Sequence, residues 1–264
     1  MIRPIFRALL PLSLISLALP GLAQEENSVS TELEFGAIVT SGNSDDQNVK
    51  FKGTVDWNHG DWIYGFSSDG FRSSKNDELN AQRLYHVGRA GHNINEFSFI
   101  NARVSYEDDR FSGFDSQSDF SVNYGRNMLR SSNSMTLAMN VGLGMRRSVQ
   151  MDKSSNEAIG RVEGNYVWNL SPTASFTQDF SLDSGSDSSI YRSESGIQSQ
   201  IMDNLSLRFS IKIKHQTQVP IGREETDTEP LPPSFLAFKQ SLKAAHKKAA
   251  LLRLLRTLPR VQCT

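Results

Sequence analysis

The sequence predicts an all-β fold: an antiparallel up-and-down transmembrane β-barrel, with about eleven strands visible of an expected twelve, followed by a helical C-terminal tail. Three observations predict it. Apolar and polar residues alternate with period two from Ser30 to about Gln218. The alternating runs are roughly 10–14 residues long, about twice an ordinary strand, and a strand tilted across a bilayer needs roughly 9–11. Beyond the N-terminus, no apolar run approaches the roughly 20 residues of a membrane-spanning helix.

The N-terminus reads as an address. Arg3 and Arg7 form a basic start, Ala8–Leu19 an apolar stretch, and Gly21-Leu22-Ala23 a small-residue cleavage site. This is the layout of a secretory signal peptide, so residues 1–23 are expected to be removed and the rest to leave the cytoplasm. The single cysteine, Cys263, allows no internal disulfide and no Cys-based zinc site. A body without cysteine suits an oxidising periplasm.

Charge divides the chain further. The net charge of −1 hides two basic ends, with two bases in 1–23 and seven in 230–264. Setting those nine aside from 28 bases leaves 19 against 29 acids, about −10 for the body. A nucleic-acid binder would carry the opposite sign there. No nucleic-acid partner is expected.

The strands carry their faces openly. Val49, Phe51, Gly53, Val55 and Trp57 oppose Lys50, Lys52, Thr54, Asp56 and Asn58. Met135, Leu137, Met139, Val141, Leu143 and Met145 oppose Thr136, Asn140 and Arg146. Leu205, Leu207, Phe209, Ile211 and Ile213 oppose Ser206, Arg208, Ser210, Lys212 and Lys214. In a membrane barrel the apolar face meets lipid and the polar face lines the lumen. Connections after even strands are short, such as His59-Gly60 and Asp203-Asn204, and most of those after odd strands read as longer, such as Ser74–Glu78, Ser148–Asn156 and Gln218–Asp227. Trp57, Trp62 and Trp168 all sit beside short turns, where an interfacial aromatic girdle would lie. Single-chain bacterial barrels use an even strand number, so a twelfth strand should follow Gln218.

Several motifs then resemble a known family. They are Thr40–Ser44, the run Ser105–Asp115 (Ser-Tyr-Glu-Asp-Asp-Arg-Phe-Ser-Gly-Phe-Asp), Phe176–Asp179, Gly185–Asp187 and Gln200–Leu205. Over roughly residues 30–229 the chain resembles the YdiY-like family, a domain-of-unknown-function family named for salt-induced outer-membrane proteins. The resemblance implies a small barrel of the Gram-negative outer membrane, insertion by the barrel assembly machinery and a link to salt or osmotic adaptation. It implies no agreed activity, ligand or catalytic residue. Family members end on a further alternating strand. Here Pro230-Leu231-Pro232-Pro233 intervenes, and Phe235–Leu258 is Ala-, Leu- and Lys-rich with near-helical spacing. The expected division is therefore 1–23 signal peptide, 24–229 barrel, and 230–264 a basic helical tail outside the family pattern, from a frameshift or fusion. The alternative for the tail is an amphipathic segment that binds anionic lipid or nucleic acid. Without the twelfth strand, two sheet edges would stay open in lipid and the chain would insert poorly.

No catalytic, cofactor-binding or metal-ligating residue is assigned. Asp108, Asp109, Asp115 and Asp119 cluster around one loop, as do Asp45-Asp46 and Glu224-Glu225, but lack the oxygen-ligand spacing of a Ca²⁺ loop. His59, His86, His92, His215 and His246 are scattered. No nucleophile–base signature and no nucleotide-binding glycine loop is present. Gly53, Gly125, Gly142 and Gly144 read as sites of curvature or close packing. The candidate functional residues are the charges on the polar face: Lys50, Lys52, Arg83, Arg89, Arg103, Arg146, Arg161, Glu163, Arg192, Glu194, Arg208, Lys212 and Lys214. They would either pair and fill the lumen or line a narrow pore; the reading favours filling. The expected protein is a monomer among outer-membrane lipid and lipopolysaccharide, structural or passively conducting. A lipid-modifying enzyme and a soluble periplasmic sandwich are the alternatives.

Overall fold

The computed structural model describes residues 28–40, 46–76, 78–109, 112–129, 134–151, 153–220, 222 and 224–243. The expected signal peptide lies outside the described residues. Twelve strands follow in order: β1 (Ser28–Thr40), β2 (Asp46–His59), β3 (Trp62–Lys75), β4 (Glu78–Asn93), β5 (Ser98–Asp109), β6 (Ser116–Leu129), β7 (Met135–Gln150), β8 (Lys153–Asn169), β9 (Ala174–Gly185), β10 (Ser189–Met202), β11 (Leu205–Gln216) and β12 (Thr226–Lys243). Each pairs antiparallel with the next, and β12 returns to β1, closing the barrel. We call the end where β1 begins and β12 finishes the terminal end, and the other the distal end.

Period two decides which way each side chain points. In β2, Lys50 is 1 % exposed while its neighbour Phe51 is 45 % exposed. In β7, Arg146 is 1 % exposed and Leu143 is 77 % exposed. The four apolar residues buried among the described residues are outnumbered by buried Arg, Lys, Asp, Glu, Ser, Asn and Gln. The protein is thus apolar outside and polar inside, the arrangement expected of a transmembrane β-barrel. A charge on its outer face should be costly. Leu143→Arg is expected to lose about 2–4 kcal/mol of stability in phospholipid vesicles, read as a lower urea midpoint of the folded band. In a water-soluble sandwich, the same change at so exposed a position would be nearly neutral.

Aromatics mark the interface. Trp57, Trp62 and Trp168 are each 40–47 % exposed on the outer face near the terminal end. Trp57 and Trp62 flank Tyr64, with ring centroids 5.2 and 6.3 Å away. Brominated lipids carrying the quencher near the headgroup should therefore quench tryptophan emission more strongly than lipids brominated at the chain ends.

The glycines confirm close packing at three positions of four. A Cβ on Gly142 or Gly144 would strike the backbone of β6 at Val122 and Phe120, and one on Gly125 would strike the Phe99 ring. Gly53 meets only ordinary van der Waals distance, 3.5 Å to Leu33.

Two expectations need correction. The first concerns the distal connections. The polar stretches at 74–78 and 148–156 are mostly strand, since β3 runs to Lys75 and β4 starts at Glu78, and β7 runs to Gln150 and β8 starts at Lys153, leaving two residues between the strands each time. Asn76 (φ 50°) and Met151 (φ 46°) take the left-handed conformation such tight turns need. Polar composition misled here because a ladder continues wherever backbone pairs, whatever the side chains.

The second concerns the tail. Over Phe235–Lys243 the chain is strand, not helix, and the barrel reaches beyond 229. β12 runs from His215↔Thr226 to Leu205↔Ala237 against β11, and from Gly36↔Ser234 to Ser28↔Lys243 against β1. Two open edges offer paired hydrogen bonds along this segment, which outweighs a helix propensity of less than about 1 kcal/mol per residue. The prolines fit because of where they fall. Pro232 and Pro233 lie in the register shift between Arg208 and Ser210, and Pro230 pairs only towards β11. Pairing with β1 begins at Ser234, so no proline has to donate across that seam. The part of the tail from 244 onward lies outside the described residues.

Candidate functional site

The site is the lumen, and the alternation of the strands builds it. All thirteen charged residues expected on the polar face point inward, and each except Lys52 and Arg103 is ion-paired among the described residues. Neighbouring strands supply one class of pair. Lys50 Nζ meets Glu34 Oε1 at 2.7 Å, Arg146 Nε meets Asp119 at 3.0 Å, and Arg208 Nη2 meets Glu194 at 3.0 Å.

A second class crosses the lumen. Arg192 of β10 reaches Glu107 of β5 at 2.8 Å, and Lys214 of β11 reaches the same carboxylate at 2.9 Å. Arg83 of β4 bridges Asp69 at 2.7 Å and Glu229 of β12 at 3.0 Å. Lys212 of β11 joins Asp69 at 3.3 Å. Arg89 meets Glu163 at 2.8 Å.

Asp183 is the hub. It is fully buried and faces Arg161 at 2.5 Å, Arg192 at 3.1 Å and Arg146 at 4.0 Å. The chain Arg146–Asp183–Arg192–Glu107–Lys214 thereby ties β7, β9, β10, β5 and β11 together. Ile190, opposite Asp183 in the strand register, is fully buried, and Phe71 and Ile159 are at most 8 % exposed. The distal half of the lumen is therefore packed. Most charges there are paired within hydrogen-bond distance, as burial in a low-dielectric interior demands, while Arg146 Nη2 is buried without a hydrogen-bond partner among the described residues.

Towards the terminal end the packing opens into a cavity of about 280 Å³. Lys52, Asp56, Tyr85, Arg89, Arg103 and Asp179 are among its lining residues. The Tyr85 ring stands under two cations, with Arg192 Cζ 5.5 Å and Lys212 Nζ 5.8 Å from its centroid.

The other motifs disperse. Asp119 faces Arg146 and Asp109 faces Lys214, 3.6 Å away, so the expected acidic cluster is not a shared site. Among the described residues no group of three metal-ligating side chains occurs. His86 stacks on Phe66 and His92 meets the edge of Trp62, both on the outer face. His215 Nδ1 lies 2.8 Å from Thr226 Oγ1 with Tyr191 beside its ring. His246 lies outside the described residues.

The acids of the web were largely unread in the sequence. Glu34, Asp69, Glu107, Asp119, Glu157 and Asp183 are all buried inward. Their signal was available in the period, since Asp69 and Asp183 sit opposite inward cations, Lys52 and Arg161, in the strand register.

Residues 33–230 match the family described as "Protein of unknown function, DUF481". The chain belongs to that family. It is similar to "Uncharacterized protein YdiY" of Escherichia coli (strain K12), 23 % identical over 194 residues that cover 73 % of this chain and 76 % of the relative. Among solved structures it is similar to the NanC porin (TM-score 0.47, 9 % identity, 82 % of this chain and 100 % of that one). It is also similar to the KdgM porin in complex with disordered oligogalacturonate (TM-score 0.46, 8 % identity, 79 % and 99 %). Both likenesses are loose. The DUF481 match stops at Pro230, whereas β12 continues to Lys243, so the closing half-strand is built from residues beyond it.

Proposed function

We propose that this chain is an outer-membrane barrel with a closed wall: a structural, non-leaking element of the bacterial envelope rather than an open channel or an enzyme. The observation that carries this reading is the web of buried ion pairs across the distal half of the lumen, from Arg146 through Asp183 and Arg192 to Glu107 and Lys214. The terminal end would face the periplasm and the distal end the medium, among lipopolysaccharide, after insertion as a monomer by the assembly machinery. A barrel that does not leak small ions suits a part in salt or osmotic adaptation, the role the sequence resemblance implies. Purified protein added to a planar bilayer should give no sustained conductance in 1 M-range salt (roughly the screening regime where Debye lengths are about 3 Å). Stable, uniform current steps from the unmodified chain would overturn the reading.

A further inference from the structure

The cavity on the terminal side of the web contains two inward cations, Arg103 and Lys52, that no carboxylate touches directly among the described residues. Every other inward cation of the lumen has a carboxylate oxygen within 3.3 Å. Arg103 is 3 % exposed, and among the described residues its guanidinium donates hydrogen bonds only to the Ser105 and Tyr85 hydroxyls. Its Nε is buried and has no hydrogen-bond partner among the described residues. Lys52 stands opposite Asp69 in the strand register, but that carboxylate is already held by Arg83 and Lys212. Lys52 itself makes no direct ion pair or hydrogen bond among the described residues, and Glu194 and Asp69 act on it only from beyond contact. Both cations line the same cavity.

A buried cation without a direct carboxylate contact keeps donors free for an added oxyanion. From this juxtaposition we propose that the cavity is a binding site for a small oxyanion, a carboxylate or a phosphate, held between Arg103 and Lys52 with the Tyr85 hydroxyl beside it. The neutral wall of Val87 and the Tyr85 ring suits a compact organic body behind the charged group. Acids line the cavity as well: Asp69, Glu163 and Glu194, which other cations hold, and Asp56 and Asp179, Asp179 accepting from Asn165 Nδ2 at 2.8 Å. They disfavour a long polyanion and favour one small enough to sit beyond them. Arg89, whose side chain is 48 % exposed, marks where the cavity meets solvent. The site goes beyond the closed-wall reading and does not depend on it, because it lies on one side of the web.

The test is isothermal titration of the full chain, folded in detergent micelles at low ionic strength, with inorganic phosphate, malonate and, as a neutral control, glycerol. Saturable binding of phosphate or malonate is expected, with the stronger of the two naming the source, and none of glycerol. Lys52→Gln and Arg103→Gln should each weaken that binding at least tenfold. If Arg103→Gln fails to fold, Lys52→Gln, which removes no existing ion pair, decides. No binding of either oxyanion, or binding that Lys52→Gln leaves unchanged, would overturn the proposal. Bilayer conductance reports separately on the closed wall.

Discussion

Asp183→Asn should lower the stability of the vesicle-folded barrel by about 3 kcal/mol, the low end of the cost of removing one partner from a buried ion network. Asp183 is fully buried and faces three arginines. An asparagine keeps the shape and one acceptor oxygen but not the charge. Each arginine keeps another carboxylate: Arg161 has Glu163, Arg192 has Glu107, and Arg146 has Asp119 and Glu157. That is why the loss should fall at the low end. The measurement is the urea midpoint of the heat-modifiable band on a gel. Asp187→Asn, two turns of the pleat away on an exposed connection, should change that midpoint by less than about 0.5 kcal/mol. Adding Arg192→Gln to Asp183→Asn should cost less than the two single changes summed, because the second change removes a cation the first left half-answered. Equal midpoints for Asp183→Asn and Asp187→Asn would show that the web carries no load.

Ending the chain after Glu229 should abolish the folded band altogether. The truncated chain would leave the β12-facing edges of β1 from Ser28 to Gly36 and of β11 from Leu205 to Ile211 without a partner. Each unpaired group in hydrocarbon costs several kcal/mol, so the loss is on the order of tens of kcal/mol against a total stability of about 5–15. The full chain, by contrast, should give a heat-modifiable band in vesicles. If the truncated chain gave that band too, β12 would not be what closes this barrel. Pro232→Ala should be nearly silent, since that residue sits in the register shift rather than in a paired position.

The strands were legible because one rule governs them over long distances. In β2, β7 and β11 lipid and lumen impose opposite demands on successive residues, so the period survives along the strand. It blurs in β3, where Ser67 and Ser68 put polar groups on both faces, and in β9, where Gln178 points outward to Ser193 and Ser195. Asp69 and Asp183, the two central acids, sit in those two strands. The inward cations were legible for the same reason as the strands. Their partners were not, because Arg83–Glu229 spans 146 residues and Lys212–Asp69 spans 143, and only closure of the sheet sets such pairs side by side. β12 reads as helix from its own residues because its local composition favours one, and the two edges that overrule it are made by distant parts of the chain.

The burial of the lumen charges also fixes how the protein meets changing salinity. Mobile ions screen exposed charges over about 8 Å at physiological strength and reach buried pairs far less. Arg146, Asp183 and Glu107 should hold each other almost equally well in brackish and in dilute surroundings. Arg89–Glu163, with its half-exposed arginine, is the pair a rising tide of counterions would loosen first.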